Sequence, residues 1–320
     1  MTTPPPIDRS TLRALAQIPV WRVARHLALT WGLILLTLGV AARTSSWLVG
    51  ILLFAVMACL QNALVLWTHE ASHFGLSRNR AWNDRLGDLL VAGPAGVTVA
   101  GYRWQHMRHH QALGDPTAEI DLAAWMCIRG PHFLRIVLWH LCGAASLQTI
   151  ARYGAPLSDT RYLSRPARSA VSWVGLLAGN ALLFSFCVAQ GRWWAYGVWW
   201  VAPLLTLTVL IGNLRTVVEH QPSSRVCETG VTAVAPMTRL TQYTWIERRL
   251  IAPLGFAYHW EHHLYPGIPY AHLPALRQEL ARLGCYDAPD LPRAGGYCAT
   301  LWHLATSSQP PRVSERIHAR

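Results

Sequence analysis

Eight of the fifteen histidines stand in three compact groups. His69-Glu70-Ala71-Ser72-His73 sets two imidazoles at i and i+4, while His106-Met107-Arg108-His109-His110 and His259-Trp260-Glu261-His262-His263 each set three at i, i+3 and i+4. On a helix those spacings place the rings on one face. Neutral imidazole is the commonest side-chain ligand for transition metals. Eight donors exceed the four that one tetrahedral zinc takes, so they ask for two metal ions with open positions, and iron, copper, nickel and zinc all accept imidazole. The first group also fits HExxH, in which two histidines hold zinc and the glutamate is the general base of a metalloprotease. A membrane zinc metalloprotease would leave the other two groups without a role. His26, His132, His140, His272, His303 and His318 stand apart and read as surface or core residues.

These groups can act together only if the chain brings them to one place. Of 320 residues, 52% are hydrophobic and only 14% charged, with 16 Trp and a mean hydropathy of +0.20. That is unlike a soluble domain and reads as a membrane protein. Apolar runs at about 27–42 and 47–68, parted by Arg43 to Ser46, form one predicted transmembrane hairpin; runs at 170–190 and 193–212, parted by Gly191-Arg192, form a second. At about 1.5 Å per residue the run 47–68 reaches about 33 Å, enough for a hydrocarbon core of roughly 30 Å. The apolar stretches Leu89–Ala100 and Phe133–Leu147 are interrupted, by Gly93-Pro94 and by Arg135 and His140, and are expected to lie on the membrane as interfacial helices. The predicted fold is an all-α integral membrane protein, one domain over 1–320: four transmembrane helices in two hairpins, with a cytoplasmic helical cap (69–169 and 213–320) carrying the histidines.

Charge supplies the orientation. All 28 basic residues are arginine and the net charge is +12. Only Arg43 and Arg192 fall in the short connections on one side, so the positive-inside rule places both termini and the long central segment in the cytoplasm, with the spans in the cell inner membrane. The same count returns all three histidine groups to one side. A fifth span at Phe133–Leu147 would carry the third group across the bilayer and erase the charge asymmetry. A basic surface could serve nucleic acid, but in so apolar a chain it reads as the cytoplasmic face, and no nucleic-acid partner is expected. The seven cysteines are scattered with no CxxC pair, which argues against a disulfide framework, a haem attachment or an iron–sulfur cluster, so any electrons must come from a separate donor.

As a set the three groups resemble the histidine boxes HxxxH, HxxHH and HxxHH of the membrane fatty acid desaturase family. The resemblance runs from about His69 to Leu280. It extends to Gly114-Asp115-Pro116 after the second box and, after the third, to Leu264-Tyr265-Pro266-Gly267-Ile268-Pro269 and Leu273-Pro274-Ala275-Leu276. It implies two non-haem iron ions, O2 as co-substrate, desaturation of a fatty acyl chain in lipid metabolism, and a ferredoxin-like electron donor. Carried over residue by residue, His69, His73, His106, His109, His110, His259, His262 and His263 become iron ligands. Arg215-Thr216-Val217-Val218-Glu219-His220 resembles the segment where members place a further ligand, which adds His220; some acyl-CoA members carry an asparagine where Thr216 stands. Lipid hydroxylases and carotenoid hydroxylases or ketolases use the same scaffold, so oxygen insertion stays open beside desaturation. Glu70, Glu219 and Glu261 each neighbour a ligand and lie about 100° around a helix from it, so they are expected to orient imidazoles rather than bind metal. Arg103 and Arg108 are expected to meet an anionic head group or simply to add to the positive side, and Trp104 and Trp260 to serve in packing.

Overall fold

The computed structural model describes residues 7–112, 128–153, 170–220, 238–287, 291 and 293–307. His318, Cys127, Cys227 and Gly114-Asp115-Pro116 lie outside the described residues. The described chain is mostly helical, and three of its helices are long and apolar enough to cross a membrane: Arg9–Ala41, Trp47–Ser72 and Trp194–His220. The first comprises α1 (Arg9–Leu15) and α2 (Val20–Ala41), and the second is α3 (Trp47–Ser72).

The helices outrun the apolar segments that announce them. α2 begins at Val20, ahead of the expected Leu27, and so takes Arg22 and Arg25 into the helix; α3 continues past Thr68 to Ser72. Polarity marks where a helix leaves the bilayer, but it does not end the hydrogen-bond ladder, and no Pro or Gly stands at these points to do so.

α4 (Arg80–Gly87) runs through a π turn (Asp88–Ala92) toward α5 (Val99–Ala112), whose first N–H is taken by the Asp88 Oδ1 at 2.7 Å. Gly93 in the interrupted 89–100 stretch is a crossing point rather than a mere break: a Cβ there would lie 2.4 Å from the backbone of Gly175. The expected interfacial helix at 133–147 is instead a pair, α6 (Gly130–Leu141) and α7 (Ala144–Tyr153), bent by 71° at left-handed Gly143 and together apolar enough for a broken span or a re-entrant loop.

The expected third span coincides with α8 (Ala170–Ala189), of which Val174–Ala189 counts as a shorter apolar helix. α9 (Trp194–His220) continues past Gly212 to His220 and widens into π turns at Gly197–Val201 and Leu204–Thr208, either side of Pro203. Proline brings no N–H to the ladder. Gln61 of α3 donates to the Trp200 carbonyl at 2.7 Å and accepts from the Thr208 hydroxyl at 2.7 Å, so the loosened turns are satisfied from the neighbouring helix. Ile34, Leu38, Met57, Leu64, Trp67, Leu183 and Trp200 fill the core between these helices.

The remaining elements are α10 (Trp245–Leu250), α11 (His259–Leu264), α12 (Leu273–Arg282) and α13 (Tyr297–Thr306). One departure from the all-α expectation is a parallel pair of two-residue strands, β1 (Leu240–Thr241) and β2 (Arg293–Ala294).

Candidate metal centre

His69 lies in the last turn of α3 and His73 is its C-cap. The helix stops there because Phe74 turns left-handed (φ 61°) and the Gly75 N–H returns to the Glu70 carbonyl at 2.8 Å. For a residue with a Cβ that turn costs about 1–2 kcal/mol, and the Phe74 ring is covered by the Arg103 guanidinium at 4.0 Å. Arg103 also donates to the carbonyls of Ser72 (2.8 Å) and Ala71 (3.0 Å) and pairs with Asp84. These are carbonyls a helix end leaves unsatisfied. Arg103 therefore fastens α5 to the end of α3. Arg108 stacks over Trp104 and Trp260 lies against Tyr286, as expected of packing.

All nine histidines expected as ligands converge, in two groups. His69, His73, His106, His110 and His262 form one; His109, His220, His259 and His263 form the other, and within each group one nitrogen from every ring lies within 4.8 Å of the others. Each HxxHH box is divided: its i and i+4 residues go to one group and its i+3 residue to the other. A step of three residues turns a helix about 300°, setting the middle histidine about 60° to the far side of the first. α5 and α11 are thus shared, while α3 serves only the five-histidine group and α9 only the four-histidine group.

Hydrogen bonding does not account for this convergence. His220 Nδ1 lies 3.1 Å from the Thr216 carbonyl, which can only accept, so the ring proton sits on Nδ1 and Nε2 is a bare lone pair. Yet that Nε2 meets the Nε2 atoms of His109 (3.1 Å), His259 (3.0 Å) and His263 (3.1 Å). Lone pairs brought this close suit a shared cation. Nitrogens at metal-bonding distance stand about 3.4 Å apart at tetrahedral angles and about 3.0 Å apart at right angles, so the spacing fits the more open coordination. Burial holds the His73 ring at about 4 and the His110 ring at about 3, and those of His106, His259, His262 and His263 well below the ordinary 6.5. Those rings are neutral at pH 7, the form that donates to a metal.

Of the three carboxylates expected beside imidazoles, Glu261 departs from expectation while Glu70 and Glu219 each lie near a ring. Glu261 accepts from the Tyr286 hydroxyl (2.7 Å) and pairs with Arg277 (3.3 Å) rather than with an imidazole. Glu70 Oε2 takes the Tyr270 N–H at 3.1 Å, with Oε1 3.8 Å from His69 Nδ1. That bond engages the residue that HExxH would need as a general base. Glu219 comes nearest the site: held by Tyr243 (2.9 Å) and Arg215 (3.0 Å), it places Oε2 3.6 Å from His259 Nε2. Sequence reasoning singles out neither Tyr243 nor Tyr286, which no spacing marks, but opposite charges at i and i+4 inside an apolar helix do mark Arg215 and Glu219.

A sequence model described as fatty acid desaturase matches residues 45–293. The chain is similar to dihydrorhizobitoxine desaturase of Bradyrhizobium elkanii, 28% identical over 242 residues, covering 70% of this chain and 66% of that protein. It is also similar to zeaxanthin 4-ketolase of Chlamydomonas reinhardtii, 27% identical over 257 residues, covering 75% of this chain and 47% of that one. It thus spans just under two thirds and about half of the length of these two relatives. With boxes, geometry and the family match in agreement, the chain belongs to the fatty acid desaturase family.

Proposed function

We propose that the chain is an O2-dependent membrane oxidoreductase that desaturates a fatty acyl chain at a di-iron centre. His69, His73, His106, His110 and His262 hold one iron, and His109, His220, His259 and His263 hold the other. The observation that carries the reading is the meeting of two sets of imidazole lone pairs in a chain of this family. Iron in such a nitrogen-rich site supplies oxygen activation, the chemistry needed to break an unactivated C–H bond. The protein holds the imidazoles neutral and fixes their aim. It keeps His69, His259 and His262 nearly out of contact with water, where side reactions are suppressed.

In this reading the spans lie in the cell inner membrane as two hairpins, and both termini and the histidine cap are cytoplasmic. An acyl chain then reaches the site from the bilayer, and a separate ferredoxin-like protein delivers electrons from the cytoplasm. Similarity to a ketolase supports a second reading, oxygen insertion into a lipid or carotenoid on the same scaffold. Mass spectrometry of lipids from cells expressing the protein separates the two, loss of two hydrogens against gain of oxygen. Metal analysis of the same preparation tests both: iron is expected, and zinc without iron would sink either reading.

A further inference from the structure

A metal-bound imidazole is normally held in plane by a hydrogen bond from its other nitrogen, as His220 is by the Thr216 carbonyl. His69 and His259 lack this: their buried Nδ1 atoms have no hydrogen-bond partner among the described residues. They belong to different groups, and one ring touches both. Phe256 packs on His69 at 4.6 Å between centroids and 71° between planes, and on His259 at 5.1 Å and 21°. Among the described residues it is the one aromatic ring, histidines aside, in ring contact with a member of each group.

Phe256 is itself tightly held. The Arg215 guanidinium stands 4.2 Å from its centroid, anchored by the ion pair to Glu219. Its backbone follows two successive left-handed residues, Leu254 (φ 53°) and Gly255 (φ 73°), and a Cβ at Gly255 would come within 2.8 Å of the Tyr270 carbonyl. For leucine that conformation costs about 1–2 kcal/mol, strain of the kind that gathers at functional sites. It drives the chain into the turn Phe256–Tyr258 from which α11 starts.

We propose that Phe256 is a positioning residue for both metal centres: its ring replaces the hydrogen bonds that His69 and His259 lack and so fixes the planes of one ligand in each group. The inference rests on the di-iron reading. Its test uses full-length protein in nanodiscs, with iron content, the Mössbauer spectrum of the ferrous form, and turnover. Phe256→Leu is expected to keep two irons, to change the doublets of both sites, and to lower kcat by about ten-fold or more with little change in KM. Phe256→Tyr, which keeps the ring, is expected to restore the wild-type spectrum. A Phe256→Leu protein with unchanged spectrum and turnover would overturn the inference, as would a change confined to one site. If Phe256→Leu does not fold, Phe256→Met decides: it fills similar volume without the ring, so altered doublets at both sites support the assignment, and doublets unchanged at either site overturn it. Wild-type protein without iron would remove the di-iron reading itself, a result distinct from any of these.

Discussion

The Nε of Arg103 donates to the carbonyl oxygen of Ser72 at 2.8 Å, so the helix of the second box closes the end of the helix that carries the first. Replacing Arg103 by Met takes the donor from the Ser72 carbonyl, while that of Ala71 keeps the Asn83 side chain and the Phe74 N–H, at about 1–3 kcal/mol. Arg103→Met is expected to lower the thermal midpoint and to release iron first from the five-histidine group. Arg103→Lys should recover only part of this, since an ammonium lacks the fork that reaches Ser72, Ala71 and Asp84 together. Thermal unfolding followed by metal analysis checks both.

The division of the third box predicts unequal losses. His263→Ala leaves the four-histidine group with three imidazoles, whereas His262→Ala leaves the five-histidine group with four. Both are expected to abolish turnover, with the greater iron loss in His263→Ala. His140 belongs to neither group; its Nδ1 meets the Ile136 carbonyl and its Nε2 the Asn213 side chain. His140→Ala should retain the full iron content, and iron loss there equal to that of His263→Ala would contradict the ligand assignment.

Gln61 is wholly buried between α3 and α9 and bonds to both Trp200 and Thr208. Gln61→Leu removes the side-chain donor to the buried Trp200 carbonyl and leaves the Thr208 hydroxyl only the Ala58 carbonyl at 3.4 Å, for a loss of about 1–3 kcal/mol. Because the π turns it supports lie on the helix that ends at His220, midpoint and iron retention should fall together in a thermal ramp.

One acid should govern part of the stability at low pH. Glu247 is buried, which opposes its charge, but the backbone N–H groups of Cys298 and Thr244 and the Thr244 hydroxyl outweigh this and hold its carboxyl below the ordinary 4.5. One carboxylate so caps the starts of two helices, α10 and α13. With the folded value depressed, the stabilisation is present above 4.5 and is lost as pH falls through the folded value. Glu247→Gln should therefore be less stable than wild type at neutral pH, with a shallower acid limb in chemical denaturation measured across pH.

Eight of the nine histidines were legible from i, i+3 and i+4 spacing, which survives any tertiary arrangement; His220 stands in no such group and came with the family resemblance. Their partition was not. Which side of α5 faces which metal depends on how α3 and α9 approach it, and His109 alone carries no sign of parting from His110. Helix ends differ from the apolar runs where polarity rises without stopping the hydrogen-bond ladder, at Thr68 and, despite its glycine, at Gly212. Side-chain ties beside the site carry no mark of their partners: Arg103 reads as a head-group or positive-side residue and Phe256 as any phenylalanine until the fold sets them beside Ser72 and His69.

The divided boxes fix something more than a ligand list. If each of two rigid helices hands its i and i+4 rings to one ion and its i+3 ring to the other, the gap between the ions is measured by the angular offset of i and i+3, a constant of the helical backbone, and it is measured twice. Surrounding substitutions can tilt that ruler but cannot rescale it. The spacing of the two histidine groups is thereby entrusted to the pitch of the main chain, the quantity least open to change by mutation.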